Sequence, residues 1–475
     1  MEERQKKRRQ AVVYLILFAV SLAFYLVWYL LDGIILTEDA PSYINMQSDR
    51  EPGYCLYLWV FREIFGEARY LHAAVVGQCI VAALAACAIT IRLTGLFSLN
   101  LVGSMGVLAV QYGITLLNRF VAQRRYSYFN SIETEGLAYS LWVFYFLCIL
   151  GILYKKDKRS AAGAVFWSVI LISIRKHMLI TLVILLIVMV WAYVGEKGWV
   201  KAGACALLVC VLGFAGTKLV DCSYNLMMRG VFAPHTGDSS FILGTELYLA
   251  DEGMAEHIRD AGHRALFLEI MRRADEKEYN IAYAGKGWQA IEDHYSSAYD
   301  RIKFDIVMVV IREHQEAENI PEADREADYN LIAGTLMREL LPASVPKLIK
   351  LYVCNVIHGF VTSVLKVHRV LNWAALALYL LYAATMAWLC AARHRRMRTR
   401  IEDDSCNPVY FAVLVLVSIA VNVCFTSLTI YCQMRYMLYN TGLFYQAWGI
   451  MLLELMTRFR SGSHRTREII SEERV

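Results

Sequence analysis

Residues 12–31 read VVYLILFAVSLAFYLVWYLL, and residues 36–54 a few positions on read LTEDAPSYINMQSDREPGY. About 20 predominantly apolar residues are one bilayer crossing as a helix. Arg4, Lys6, Lys7, Arg8 and Arg9 precede the run. The positive-inside rule therefore keeps the N-terminus in the cytoplasm and delivers Glu38 and Asp39 to the outer face. A carboxylate pair held against a bilayer surface is costly unless it is used. The run is long enough to span and lacks a small-x-small cleavage signature, so it reads as an uncleaved first helix.

The rest of the chain supports that reading. Of its 475 residues 57% are hydrophobic and 19% charged, too apolar for an ordinary soluble domain. The fold class expected is an all-α polytopic membrane protein with a lipid bilayer as its principal partner. The net charge of +5 comes from basic residues gathered in short loops and implies no nucleic-acid partner. The cysteines lie mostly inside apolar stretches without CxxC spacing and read as small packing residues, not as a disulfide frame or metal site.

Apolar windows fall near residues 11–33, 72–92, 99–118, 136–154, 160–174, 177–195, 200–220, 370–392, 408–429 and 434–456, about ten transmembrane helices. Arg92, the run from Lys155 to Arg159, Lys197, Lys201, the Arg393–Arg398 cluster and the basic C-terminal tail all fall on the inner side, so both termini are expected in the cytoplasm. Residues 221–369 are richer in charge and helical in pattern. The organisation expected is a transmembrane catalytic module over 1–220, an extracytoplasmic helical domain over 221–369 and C-terminal transmembrane helices over 370–475. Within the middle part, residues 345–365 read as an interfacial or re-entrant helix, with Lys347, Lys350, Cys354 and His358 on one stripe.

Several outer charges are not required by topology: Glu38, Asp39, Arg50, Glu51, Arg119, Arg124, Arg125, Glu133, Glu135, Arg175, Lys176, His177 and Arg435. Simpler roles exist for several of them. Asp39 suits a helix cap, Glu133 or Glu135 a helix N-terminus, Arg124 and Arg125 a headgroup contact, and Arg175 and Lys176 snorkelling. His177, His235 and His358 read as hydrogen-bonded structural residues without zinc-site spacing. As a set, however, carboxylates with arginines at several helix ends suit a base that takes a hydroxyl proton and cations that hold a phosphate leaving group.

The segments LTEDAPSYINMQSDREPGYCLYLWVFREIFG, SIETEGLAYSLWVFYFL, LISIRKHMLI, GVFAPHTGDSSF and QMRYMLYNTGLFY together resemble the glycosyltransferase C superfamily, integral-membrane enzymes related to protein mannosyltransferases and aminoarabinose transferases. The resemblance runs through most of the membrane part and not through the middle domain. It implies that Asp39 is the catalytic base with Glu38 beside it, and that Glu135 fills the second acidic position, for which Glu133 competes. It further implies that Arg50, Tyr54, Glu133, Arg175, Lys176, His235, Arg435 and Tyr436 contact substrate. Lys176 replaces the proline that the family commonly carries after the Arg175 position. The implied activity is inverting transfer of a sugar from a polyprenyl-phosphate donor to an acceptor hydroxyl on a glycan, lipid or protein at the extracytoplasmic face. No cofactor is implied, and a divalent cation between two carboxylates is left open. The competing classes are a transporter or flippase for lipid-linked glycans, which would favour internal repeats and broken helices, and a surface-polysaccharide polymerase or ligase.

Overall fold

The computed structural model describes residues 2–48, 50–120, 126–234, 240–398 and 406–472. Helix makes up 85% of the chain. The described residues form two compact units, Met1–His235 with His368–Val421 and Leu438–Val475, and Thr236–Val367 with Asn422–Met437.

The first unit begins with α1 (Glu2–Asp32), the short α2 (Ala40–Ile44), α3 (Pro52–Phe65), α4 (Tyr70–Phe97), α5 (Leu101–Phe120), α6 (Glu135–Lys155), α7 (Lys158–Ile174) and α8 (Ile180–Arg229). Gly33, with φ of 71°, stops α1 because a left-handed residue turns the chain off the helix axis at no Cβ cost. Lys156 takes a left-handed C-cap after α6. Asp157 then caps α7 by accepting from the N–H groups of Arg159 and Ser160 at 3.0 and 3.1 Å, which makes α6 and α7 a tight hairpin. α8 breaks at Gly198, whose φ/ψ of 74°/164° is non-helical. Its two halves fold back on one another, and the Cys210 thiol meets the Leu182 carbonyl at 3.2 Å.

The second unit holds α9 (Ser240–Leu249), α10 (Ala261–Glu276), α11 (Trp288–Arg301), α12 (Met308–Ala317) and α13 (Arg325–Thr362). A π-helical turn at Ile302–Val307 joins α11 to α12. Its core gathers Leu247, Phe267, Ile270, Tyr295, Tyr299 and Leu336, all 1% exposed or less. The chain closes with α14 (Leu371–Arg398), α15 (Pro408–Thr429) and α16 (Met434–Glu472).

Eight of the described helical segments are long and apolar enough to cross a membrane, against the ten expected. α7 has 17 residues, short of a span. The windows at 177–195 and 200–220 are the two halves of α8 on either side of the break at Gly198 and count there as one segment. Residues 434–456 form helix, but Tyr436, Asn440, Gln446 and Glu454 lower their apolar content. Conversely, α13 qualifies as a span where the sequence suggested an interfacial helix. Its stripe is committed to neighbours inside the second unit: Lys347 pairs with Asp251 at 2.6 Å and His358 with Glu292 at 2.7 Å. Ile349 and Val353 are exposed on another face. In Ala11–Asp32 only 11% of the most apolar stretch is buried. An apolar helix with so little protein cover needs hydrocarbon around it.

Candidate functional site

Two loops of the first unit, one after α1 and one before α6, are joined by the parallel pairing of β1 (Ile35–Leu36) with β2 (Ser131–Ile132). Ile35 opposes Ser131 and Leu36 opposes Ile132. The Thr37 hydroxyl donates to the Ile132 carbonyl at 3.2 Å, and the Asn130 amide donates to the Gly33 carbonyl at 3.1 Å. A link of two residues per strand is weak alone, and a buried glutamine reinforces it. Gln78 of α4 is 0% exposed and donates to the carbonyls of Phe129 and Ser131 at 3.1 and 3.0 Å. Its own carbonyl accepts from Tyr54 of α3 at 2.8 Å. One side chain thus satisfies three buried polar groups that would otherwise be costly.

α3 reaches the other wall because residue 53 is glycine. A Cβ there would lie 2.8 Å from the Ser173 carbonyl carbon and oxygen and 2.9 Å from Ile174. The start of α3 therefore rests on the end of α7, where Arg175 is the C-cap.

The expected carboxylates each meet a guanidinium. Asp39 stands at the N-cap position of α2, yet its side chain makes no cap hydrogen bond. It accepts from Arg50 at 2.8 Å instead. Glu135, in the first turn of α6, pairs with Arg175 and accepts from the Thr134 hydroxyl at 2.9 Å. Exposure separates the two pairs. The side chains of Asp39 and Arg50 are 34% and 25% exposed, whereas those of Glu135 and Arg175 are 2% and 12% exposed. Of the two paired carboxylates, Asp39 is the more open to solvent.

Tyr43 is close to both pairs. Arg50 stacks over its ring at 4.8 Å, and the charges of Asp39, Arg50, Glu135 and Arg175 all act on its hydroxyl. Burial, opposed by Arg50, pushes that phenol well above its usual range, so it stays a neutral hydrogen-bonding group. The loop carrying it is anchored by Arg62 on the Ile44 carbonyl at 2.9 Å and by Arg229 on the Met46 carbonyl at 3.1 Å.

The remaining expected residues fall in different settings. Glu38 and Lys176 are exposed. Glu133 is buried and accepts from Tyr126 at 3.2 Å. Tyr54 is 0% exposed, and burial raises its phenol well above the usual range. It secures Gln78 and presents no surface to a substrate. Arg119 pairs with Asp32 at 2.6 Å and lies over the Trp28 ring at 5.0 Å, away from these groups in role. Arg435 and Tyr436 belong to the second unit, where the guanidinium donates to the neighbouring phenol at 3.2 Å. His235, Arg124 and Arg125 lie outside the described residues.

Sequence reasoning missed Tyr43, Gln78, Thr134 and the anchoring arginines Arg62 and Arg229. Gln78 did leave a signal, a lone amide within an apolar helix, which must find partners or pay desolvation. No family model matches this chain, and no curated protein or solved structure matches it either.

Proposed function

We propose that the chain is a membrane-embedded glycosyltransferase that moves a sugar from a polyprenyl-phosphate donor to an acceptor hydroxyl. The observation that carries the reading is the meeting of two carboxylate–guanidinium pairs, Asp39–Arg50 and Glu135–Arg175, close to the buried Tyr43 hydroxyl. A site of fixed charges on rigid helix ends suits electrostatic stabilisation, because the dipoles need not reorganise as charge develops.

In this reaction Asp39 takes the proton of the acceptor hydroxyl as that oxygen bonds to the anomeric carbon. The bond from the anomeric carbon to the phosphate oxygen breaks with its electron pair leaving on the phosphate, and configuration inverts. Arg50 holds the Asp39 carboxylate in place. In this reading Lys176, which is exposed and follows Arg175 in the chain, meets the departing phosphate. Glu135 acts through Arg175, as a positioning residue. The resemblance adds Arg435 and Tyr436 as a donor-phosphate contact and sets the chemistry on the extracytoplasmic face.

The test is a donor comparison with purified protein in lipid. Transfer from a polyprenyl-phosphate monosaccharide, with an inverted product, is the expected result. Transfer solely from a pyrophosphate-linked oligosaccharide would make the protein a polymerase or ligase. Translocation of lipid-linked glycan across vesicles without transfer would make it a flippase.

A further inference from the structure

α6 carries Glu135 at its first turn and Lys155 at its last. At 1.5 Å per residue these ends are about 30 Å apart, the thickness of a bilayer hydrocarbon core. Beside the Lys155 end, still within the first unit, lies a cavity of about 590 Å³ bounded by Tyr14, Ile91, Arg92, Leu96, Leu147 and Lys155. The wall is firm. The Tyr154 hydroxyl donates to the Asn407 carbonyl at 2.6 Å and accepts from the Phe411 N–H at 3.1 Å, and the Phe97 ring meets those of Tyr154 and Phe411.

Two cations, Arg92 and Lys155, border this cavity, and among the described residues no carboxylate pairs with either and neither makes a side-chain hydrogen bond. Asp157, which lies near enough to act with Arg92 on the Cys148 thiol, is committed to capping α7 through both carboxylate oxygens. Lys155 is exposed and could be satisfied by water alone. Arg92 is half-buried, and a guanidinium partly withdrawn from water beside an apolar wall favours an anion that brings its own apolar surface. Outside the cavity the α1 surface continues as exposed Val13, Leu15 and Ile16.

We propose that this cavity binds an anionic phospholipid at the end of the helix bundle opposite the Asp39 site. Arg92 and Lys155 hold the phosphate, and the acyl chains lie along Ile91, Leu96 and Leu147. Basic pockets between membrane helices recognise lipid headgroups in this way. A free phosphate would meet the same cations but leave the apolar walls uncovered. The inference does not depend on the proposed glycosyl transfer, since it concerns residues outside that site and is read by binding.

The experiment titrates phosphatidylglycerol into the full-length protein in phosphatidylcholine nanodiscs, with lipid retention measured by native mass spectrometry and Tm by thermal unfolding. Wild type should retain phosphatidylglycerol and gain Tm, and the R92Q/K155Q protein should bind it about 30-fold more weakly. Should the double variant fail to fold, Lys155→Gln alone, at an exposed helix end, should weaken retention about fivefold, and added salt should weaken it in wild type. Undiminished retention in the variants would overturn the proposal. So would a Tm gain from inorganic phosphate or glycerol 3-phosphate equal to that from the lipid, which would identify a free-anion site.

Discussion

The two ends of α6 hold charge in opposite ways. At Glu135 the carboxylates and guanidiniums are joined in pairs and tied down by a strand bridge, a buried glutamine and backbone anchors. At Lys155 the cations have no ion-pair partner among the described residues and border an open cavity. Pairing fixes geometry, which a reaction needs. Unpaired charge keeps its attraction for something mobile, which a binding site needs. The contrast can be broken by removing a partner at the first end.

Arg175→Ala should have the largest effect on folding. It leaves the Glu135 carboxylate buried without its cation, a loss on the order of 3–5 kcal/mol, seen as a lower Tm of the detergent-solubilised protein. Replacing both residues by apolar ones of similar volume should restore much of that stability but not activity. Unchanged stability in Arg175→Ala would show that the pair does not hold this end together.

A third setting sharpens the comparison. Glu246 of the second unit is 0% exposed, and neither carboxylate oxygen has a hydrogen-bond partner among the described residues. Burial pushes its pKa from 4.5 up to about 8. Between those values the folded protein keeps a proton that the unfolded chain has released. Stability from this group is therefore fully present below pH 4.5, falls as pH rises to about 8, and is flat beyond. Glu246→Gln removes that fall. The variant should match wild type near pH 4 and exceed it by up to ~4 kcal/mol above pH 8, measured as Tm against pH. Parallel profiles for the two proteins would contradict this.

Gly53→Ala comes next. Its Cβ would press on the Ser173 backbone and Ile174, costing about 1–3 kcal/mol and shifting α3 from α7. Transfer activity should drop further than Tm alone explains, because Arg50 precedes α3 and Arg175 follows α7. A tolerated alanine would mean that this contact does not set the site. Arg435→Lys is the smallest change. It keeps the charge but loses the planar fork, and it should weaken donor binding about tenfold with little effect on Tm. Equal donor affinity would remove Arg435 from the donor contact.

Much of the helical framework was legible in apolar runs, because a stretch such as Tyr70–Phe97 has few other ways to satisfy its backbone in lipid. α16 shows where that rule thins out: Tyr436, Asn440 and Gln446 are buried against protein, so their polarity reports packing and not exposure. Residues 345–365, at the end of α13, are apolar enough to span, and they read as interfacial because one more crossing would put the basic cluster from Arg393 outside. The partners of Lys347 and His358, Asp251 and Glu292, lie about 60–100 residues upstream. At the candidate site, Asp39, Glu135 and Arg175 could be singled out by residue type and position. Their pairing could not. Glu135 meets Arg175 across 40 residues, and the two loops are joined by a two-residue strand contact between positions nearly 100 apart, neither of which leaves a periodic trace in sequence.

The central claim is that Asp39, the more exposed member of the paired carboxylates, is the base for sugar transfer. The most direct measurement is the single-turnover rate of Asp39→Asn with a polyprenyl-phosphate sugar at saturating donor, alongside its Tm. The amide keeps the shape and cannot accept the proton. The rate should fall on the order of 100-fold or more, with Tm close to wild type because the amide oxygen still accepts from Arg50 at this half-buried pair. A near-normal rate in a folded Asp39→Asn protein would contradict the account.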